Sequence, residues 1–344
     1  MKKATINDVA KAAKVSVATV DRVLNNRSGV RLQTVEKVLK AILKLNYKPG
    51  ILPDKLPKSR SYRLLFIVRE GRTSFMVRLG EAVDELSERL KDENVYIEKR
   101  LVGAFDGTNA ADMLDGVQPQ DWDGVAMVMV PDLPLVKQAI DGCVERGVKV
   151  VTVVSDLPSS ARSYFVGIDN IAAGRVAGRL LGRFTLASPG NLAVVMASLS
   201  LRDHVERHLG CAQVVQAEFP HLTLLPPLEG RDNPEDTFTI VNTLLSGPNG
   251  KNVKAIYSSG AANQGLIEAL VKNERQKDIV TISHELTPRS RRALLDGTFD
   301  AILSQDAERE ASQAVTLLRQ LCDSEPLERQ NFISTDIYFP DNLP

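Results

Sequence analysis

The spacing of apolar residues changes character near residue 50. Before that point it is helical. Ile6, Val9, Ala10 and Ala13 recur at i, i+3, i+4 and i+7 and predict a short helix with one apolar face. Thr5 and Asp8 read as its capping box, a hydroxyl for an orphan amide and a carboxylate in the first turn. Lys14-Val15 breaks the pattern, and Ser16 caps a second helix from Val17 to about Asn25. There Val20, Val23 and Leu24 point inward, while Ala18, Asp21, Arg22 and Asn25 share the opposite face. A third helix, about Leu32 to Leu45, carries the stripe Val35, Val38, Leu39 and Ile42 and stops at Asn46-Tyr47-Lys48-Pro49-Gly50.

From Tyr62 onward short apolar runs alternate with helical segments. The expected strands are Leu64–Val68, Val95–Leu101, Gly124–Val130, Lys149–Val154, Asn191–Met196, Leu222–Leu228, Ala255–Tyr257 and Ile279–Ser283. Between them the pattern predicts helices such as Phe75–Leu90, Leu135–Arg146, Ile171–Phe184, Asp203–Glu218, Asp236–Leu245 and Gln264–Lys272. A further helix after Asp306 and a strand pair near Asn331–Phe339 end the chain. Strands that are nearly continuous in Val, Ile and Leu, each followed by a helix, imply an α/β body of parallel sheets covered on both faces.

Composition narrows the function classes. At 344 residues the chain exceeds one compact core, and 43% hydrophobic with 25% charged residues excludes a disordered protein. No apolar run approaches the roughly 18–20 residues of a membrane span. The start runs into Asn7 and Asp8 rather than an apolar stretch, so no secretion signal and a cytoplasmic location are expected. Cys143, Cys211 and Cys322 are too scattered for a disulfide framework or a zinc site and read as small core hydrophobes.

Net charge is zero, but unevenly spread: residues 1–48 hold eleven lysines and arginines against Asp8, Asp21 and Glu36. A basic head on an acidic body points to a polyanion contacted at one end. Three helices with a tight turn between the first two form a helix-turn-helix, whose second helix fits the major groove of DNA. Val17 or Ala18 can then touch a thymine methyl, and Arg22 can present its fork to guanine. Thr5, Ser16, Thr19, Asn25 and Thr34 are candidates to hold phosphates and set register. A three-helix protein–protein module is the alternative, disfavoured by the charge and by Arg22.

Catalytic apparatus is not evident. Arg69-Glu70-Gly71-Arg72, rather than a glycine-rich loop, follows the first strand, and no phosphate-binding Gly-x-x-x-x-Gly-Lys motif occurs. Gly174, Gly178 and Gly182 recur every four residues, which suggests close helix packing. His204-Val205-Glu206-Arg207-His208 misplaces the glutamate of a metalloprotease helix and reads as a charged, solvent-facing helix. Neither a cofactor nor a metal is expected.

The run from Thr5-Ile6-Asn7-Asp8-Val9-Ala10 through Val15-Ser16-Val17-Ala18-Thr19-Val20-Asp21-Arg22-Val23-Leu24-Asn25 to Leu45-Asn46-Tyr47-Lys48-Pro49 closely resembles the head of the lactose/galactose-repressor (LacI/GalR) family. The resemblance implies that positions 17, 18 and 22 read bases and that a homodimer binds a near-palindromic operator. It departs at Asp21, where most of the family has a serine. It departs again in the linker Gly50-Ile51-Leu52-Pro53-Asp54-Lys55-Leu56-Pro57, where Pro53 and Pro57 replace small residues. Leu56 falls at the family's minor-groove wedge; wedge and ordinary linker residue both stay open.

The body resembles the type I periplasmic-binding-protein fold that this family carries behind its head, two α/β lobes flanking a cleft. The stretches that carry the likeness are Phe165-Val166-Gly167-Ile168-Asp169-Asn170, Ser198-Leu199-Ser200-Leu201-Arg202, Gly260-Ala261-Ala262-Asn263-Gln264-Gly265, Ile282-Ser283-His284-Glu285 and Leu303-Ser304-Gln305-Asp306. Each lies where an open α/β sheet presents ligand loops. The expected organisation is a helix-turn-helix domain over 1–48, a hinge over 49–61 and an effector domain over 62–344. One lobe would take about 62–170 and 305–331, the other about 171–304 and 332–344.

Asp169, Arg202, Glu285, Gln305 and Asn263 are the candidate effector residues, suited to a sugar or polyol. Phe75 stacks on an apolar sugar face or fills the core, and Asp169 is also placed to cap a helix. No C-terminal heptad helix follows, which favours a dimer over a tetramer. The expected function is that of a transcription regulator, by resemblance a repressor, with no enzymatic activity. A sugar-processing enzyme, a plain sugar-binding protein or an architectural DNA binder with the same head are its rivals.

Overall fold

The computed structural model describes residues 5–24, 30, 32–45, 60–71, 74–103, 105–128, 131–186, 188–260 and 262–344; Asn25 and Leu56 lie outside them. The chain divides into two units, Met1–Arg60 and Ser61–Pro344.

The first unit holds α1 (Ile6–Ala13), α2 (Val17–Leu24) and α3 (Leu32–Lys44). Val9, Ala10, Ala13, Val20, Val38 and Ala41 form its small core. Thr5 and Asp8 make the capping box at the start of α1, with the Thr5 N–H donating to Asp8 Oδ2 at 2.8 Å. Lys14 ends that helix in the left-handed conformation, φ 53°, and its N–H returns to the carbonyls of Ala10 and Lys11. Ser16 Oγ accepts the Thr19 N–H at 3.2 Å, so α2 starts with only three residues between it and the end of α1.

The second unit opens with β1 (Tyr62–Arg69), α4 (Ser74–Leu90), β2 (Val95–Val102), α5 (Gly107–Asp115), β3 (Gly124–Val128), α6 (Pro134–Glu145), β4 (Lys149–Val153) and β5 (Tyr164–Val166). It continues with α7 (Asn170–Phe184), β6 (Gly190–Met196), α8 (Arg202–Glu218), β7 (Leu222–Leu224), β8 (Leu228–Glu229), α9 (Pro234–Ser246), β9 (Val253–Ser258) and α10 (Asn263–Lys272). The last elements are β10 (Val280–His284), α11 (Pro288–Leu295), β11 (Ala301–Ser304), α12 (Ala307–Cys322) and β12 (Asp336–Tyr338).

Two sheets result, one ordered β2-β1-β3-β4-β5 and one β12-β11-β10-β9-β6-β7. Among the described residues all pairings are parallel except β11 with β12. Alternation divides β1 between two cores: Leu64, Phe66 and Val68 face α4 and α12, Leu65 and Ile67 the layer with Leu114 and Ile140. The second sheet likewise has a core on each face. The backbone passes between lobes after β5, after β11 and before β12, where Ile333 bridges Ile168.

Three expectations need correction. The strand over Leu222–Leu228 is two pieces, because Pro226 and Pro227 supply no N–H for a ladder. The strand pair near Asn331–Phe339 is one bridge and β12, which pairs with β11. Helices α5 and α11 are additional; α11 carries Arg289, Arg291 and Arg292, which mask its apolar stripe.

Candidate functional site

In the first unit α2 presents Val17, 41% exposed, together with exposed Ala18 and Arg22. The Ser16 and Thr19 hydroxyls hydrogen-bond each other at 2.8 Å beside them, and Thr34 is half-buried on α3. With Val20 in the core, the helix is fixed from one side and its other face is available to a groove.

In the second unit the strands' carboxyl ends of both sheets converge on a cleft, as parallel sheets dictate. Its central charge is Arg207, delivered by the close approach of α7 and α8. A Cβ on Gly174 would stand 2.0 Å from the Arg207 carbonyl oxygen, and one on Gly210 would stand 2.1 Å from that of Ile171. Only glycine permits such contact. Buried at 3% exposure, the Arg207 guanidinium donates from Nε to Asn170 Oδ1 at 2.8 Å and from Nη1 to the Ser259 carbonyl at 2.9 Å. Its Nη2 has no hydrogen-bond partner among the described residues, and Asp203 Oδ2 stands 4.0 Å away.

Glu285 faces the same space. Gln305 donates to it from Nε2 at 3.0 Å and from its backbone N–H at 3.3 Å, and the Ser304 hydroxyl adds a contact at 3.4 Å. Burial nevertheless outweighs these bonds and pushes the Glu285 carboxyl up to about 7. Burial drives His204 and His284 the other way, so both imidazoles are held neutral. His284 Nε2 shares a hydrogen bond of 2.7 Å with the Tyr257 hydroxyl. Glu310 on α12 is raised well above the carboxylate range, first by burial and then by the charge of Glu285. Asp203 Oδ1, Gln305 Oε1 and His284 Nδ1 are buried here with no hydrogen-bond partner among the described residues, a set able to meet a partner rich in donors and acceptors.

The lobes close on one another at this point. Arg69 from β1 reaches Asp232 of the second lobe at 2.6 Å, both side chains under 10% exposed, and its guanidinium lies 4.8 Å from the centre of the Phe105 ring. Asp132 N–H donates to the Ser200 carbonyl at 2.8 Å, and Asp203 N–H to Ser155 Oγ at 3.4 Å. The space between the walls is about 20 Å³, water-sized. A larger cavity of about 600 Å³ shares Phe75, Glu285 and Gln305 with it and runs out past Arg78 and Tyr338. Anything larger than a water molecule reaches the inner space only if the lobes part.

Of the residues expected from sequence, Phe75, Glu285 and Gln305 are brought together on this wall. Asp169 instead caps α7, accepting the Ala172 N–H at 2.9 Å. Arg202 lies at the rim, half-exposed, paired with Glu206 at 2.7 Å and 3.9 Å from Asp132. Asn263 is buried behind the wall, taking the Ser258 hydroxyl at 2.8 Å and donating to the His284 carbonyl at 2.8 Å. Sequence reasoning missed Arg69, Asp203, His204, Arg207, Asp232 and His284. The helix read as solvent-facing buries His204 and Arg207 at 2% and 3% exposure. Asp203, Arg207 and Cys211 at four-residue spacing were the available signal, one helix face leading from charge into core.

Comparison with known proteins follows the same division. Residues 5–50 match the family described as bacterial regulatory proteins, lacI family, and residues 64–326 match the periplasmic binding protein domain. A ribose operon repressor of Halalkalibacterium halodurans is 41% identical over 83 residues, 24% of this chain and 25% of that protein. One of Bacillus subtilis is 35% identical over 127 residues, 32% of this chain and 39% of that protein. The HTH-type transcriptional regulator pepR1 of Lactobacillus delbrueckii subsp. lactis is 33% identical over 100 residues, 28% of this chain. The chain matches 30% of the length of that last relative.

Among solved structures, the glucose-galactose binding protein GanP of Geobacillus stearothermophilus superposes with a TM-score of 0.75 at 19% identity, covering 83% of this chain and 99% of that one. A solute binding protein of Agrobacterium vitis with bound D-fucose gives 0.75 at 17% identity, covering 81% and 96%. At such identities the likeness is one of fold. Two lobes on parallel sheets behind a capped three-helix head, matched over 64–326 and 5–50, place the chain in the periplasmic binding protein domain family, with the head of the bacterial lacI-family regulatory proteins.

Proposed function

We propose that the protein is a sequence-specific DNA-binding transcription regulator, acting as a repressor, whose operator affinity is set by a sugar or polyol held in the cleft. The observation that carries this reading is one chain joining a lacI-type head, with Val17, Ala18 and Arg22 exposed on α2, to a body whose buried polar wall suits hydroxyls. The ribose operon repressors among its relatives, and the D-fucose and D-arabinose held by structural neighbours, support a carbohydrate. The working unit is a homodimer in the cytoplasm, each head on one half of a near-palindromic operator. Opening and closing of the lobes alters DNA affinity through the segment after α3, typically by ~1–3 kcal/mol. Phosphate contacts by Thr5, Ser16, Thr19 and Thr34 set register, and Arg22 selects the base.

Anisotropy titration with fragments flanking its own gene tests this. The full chain should bind one fragment in a salt-dependent manner, and Arg22→Ala should reduce discrimination over random DNA by roughly tenfold to a hundredfold. Equal affinity for all fragments would sink the reading. A thermal-shift screen against neutral sugars and polyols tests the cleft, since a ligand stabilises the state that binds it.

A further inference from the structure

The two lobes repeat one strand order: β1, β2, β3, β4 and β5 occupy the places of β6, β7, β9, β10 and β11. The equivalence extends to the residue that leaves the fourth strand. Val154 follows β4 and donates its N–H to the Val166 carbonyl of β5 at 2.9 Å; Glu285 follows β10 and donates to the Leu303 carbonyl of β11 at 2.9 Å. Both adopt the left-handed backbone, with φ of 70° and 72°. Both are buried, at 1% and 4% exposure, and both line the inner cavity. One position, seen twice, therefore aims a side chain into the cleft: a carboxyl from the second lobe and an isopropyl from the first.

A β-branched residue is poorly suited to that backbone, so valine there is an outlier of the kind that gathers at functional sites. Asparagine or aspartate would sit there with less strain and would also bind a hydroxyl. The first lobe's other wall residues, Phe75 and Met76, are apolar as well. Its nearby charge, Arg69, does not line the cavity: Nη2 is held by Asp232 and the guanidinium lies over Phe105, while Nε and Nη1 are buried with no hydrogen-bond partner among the described residues. Hydroxyl-binding groups thus stand on the second lobe and the crossover (Arg207, Asp203, Glu285, Gln305), opposite an apolar wall.

We propose that Val154 determines specificity, and that the effector is a carbohydrate presenting a hydrocarbon edge, a deoxy position or a methyl group, to the first lobe. Its hydroxyls face Glu285, Gln305 and Arg207. This rests on the carbohydrate reading above. A hydroxyl pressed against Val154, Phe75 and Met76 loses water and gains no partner, whereas a methyl gains burial. In a pocket of this kind one such group changes affinity by about tenfold or more.

The test titrates the full chain, by calorimetry or thermal shift, with matched pairs: D-galactose and D-fucose, L-mannose and L-rhamnose, D-glucose and 2-deoxy-D-glucose, D-ribose and 2-deoxy-D-ribose. The deoxy member of at least one pair should bind about tenfold more tightly than its parent. Val154→Asn should reverse that preference, and Val154→Gly, which relieves the backbone without adding a polar group, should bring the ratio towards one. If Val154→Asn does not fold, the wild-type ratio and the glycine variant decide. Tighter binding of the parent in every pair that binds, or a ratio indifferent to both substitutions, overturns the inference and leaves the carbohydrate reading standing. Binding of no sugar in the panel overturns both.

Discussion

In the head, the side chains offered for recognition come from one short helix and stand in solvent, with Val17 at 41% exposure beside Ala18 and Arg22. Adjacent residues hold them: Ser16 with Thr19, Thr5 with Asp8. In the cleft, the polar groups come from β1, α8, the loop before α9, the ends of β10 and β11, and α12, and nearly all are under 10% exposed. Their supports are remote in sequence, as Asn170 is from Arg207 and Asp232 from Arg69. A surface site of local contacts is inexpensive to change. A buried site held across the fold is not, because each polar group there depends on a partner that water cannot replace.

The largest effect is expected where the cleft's framework leaves no room. The Cβ of Gly174→Ala would meet the Arg207 carbonyl at 2.0 Å and its Cα at 2.9 Å, so α7 and α8 must separate. A loss of about 3 kcal/mol or more is expected, at the upper end of the range for overpacking. Urea denaturation of the full chain would show the body's midpoint falling, and Arg207 would lose its setting against Asn170 and Ser259. A midpoint matching the wild type would mean that these helices are not fixed by their contact.

Next comes Glu285. Its carboxyl rises from an ordinary 4.5 to about 7 on burial, which corresponds to on the order of 3 kcal/mol against the ionised form. A carboxyl raised in the fold binds protons more readily than in the unfolded chain. Its penalty is therefore absent below about pH 4.5, builds as pH rises and is complete above about 7. The buried neutral histidines act in the opposite direction, costing stability as pH falls below their ordinary 6.5. Glu285→Gln should accordingly raise Tm at pH 8, with the gain shrinking through pH 7 and largely gone near pH 5. A gain that does not vary with pH would show that ionisation of Glu285 has no part in it.

These differences also explain what could be read beforehand. The head was legible because capping box, apolar stripe and exposed face all lie within a few residues of one another. Glu285 and Gln305 were legible because each follows directly on a strand's end, and Phe75 because it stands at the start of the first helix of the body. Arg207 was not, since a helix reading His-Val-Glu-Arg-His looks solvated until Gly174 and Gly210 draw two helices together. Asp169 shows the converse: a carboxylate before a helix suits a cap and a ligand equally, and the structure uses it as a cap. The role of Val154 lies in a backbone angle that no side-chain pattern announces.

The smallest expected effect is at the head and sharpens the contrast. Thr5→Ala removes the hydroxyl of the capping box, whose contacts with Asp8 are local and exposed. Loss of a cap of this type costs ~1 kcal/mol, because water can still solvate the freed amide. Amide exchange at Val9 and Ala10, in the core of α1, should quicken by about fivefold, the rate equivalent of that energy. Exchange in the body's sheets should be unchanged, since the two units keep separate cores. Faster exchange in β1 or β6 as well would mean that head and body open together, and the distinction between a locally held surface and a globally held cleft would then fail.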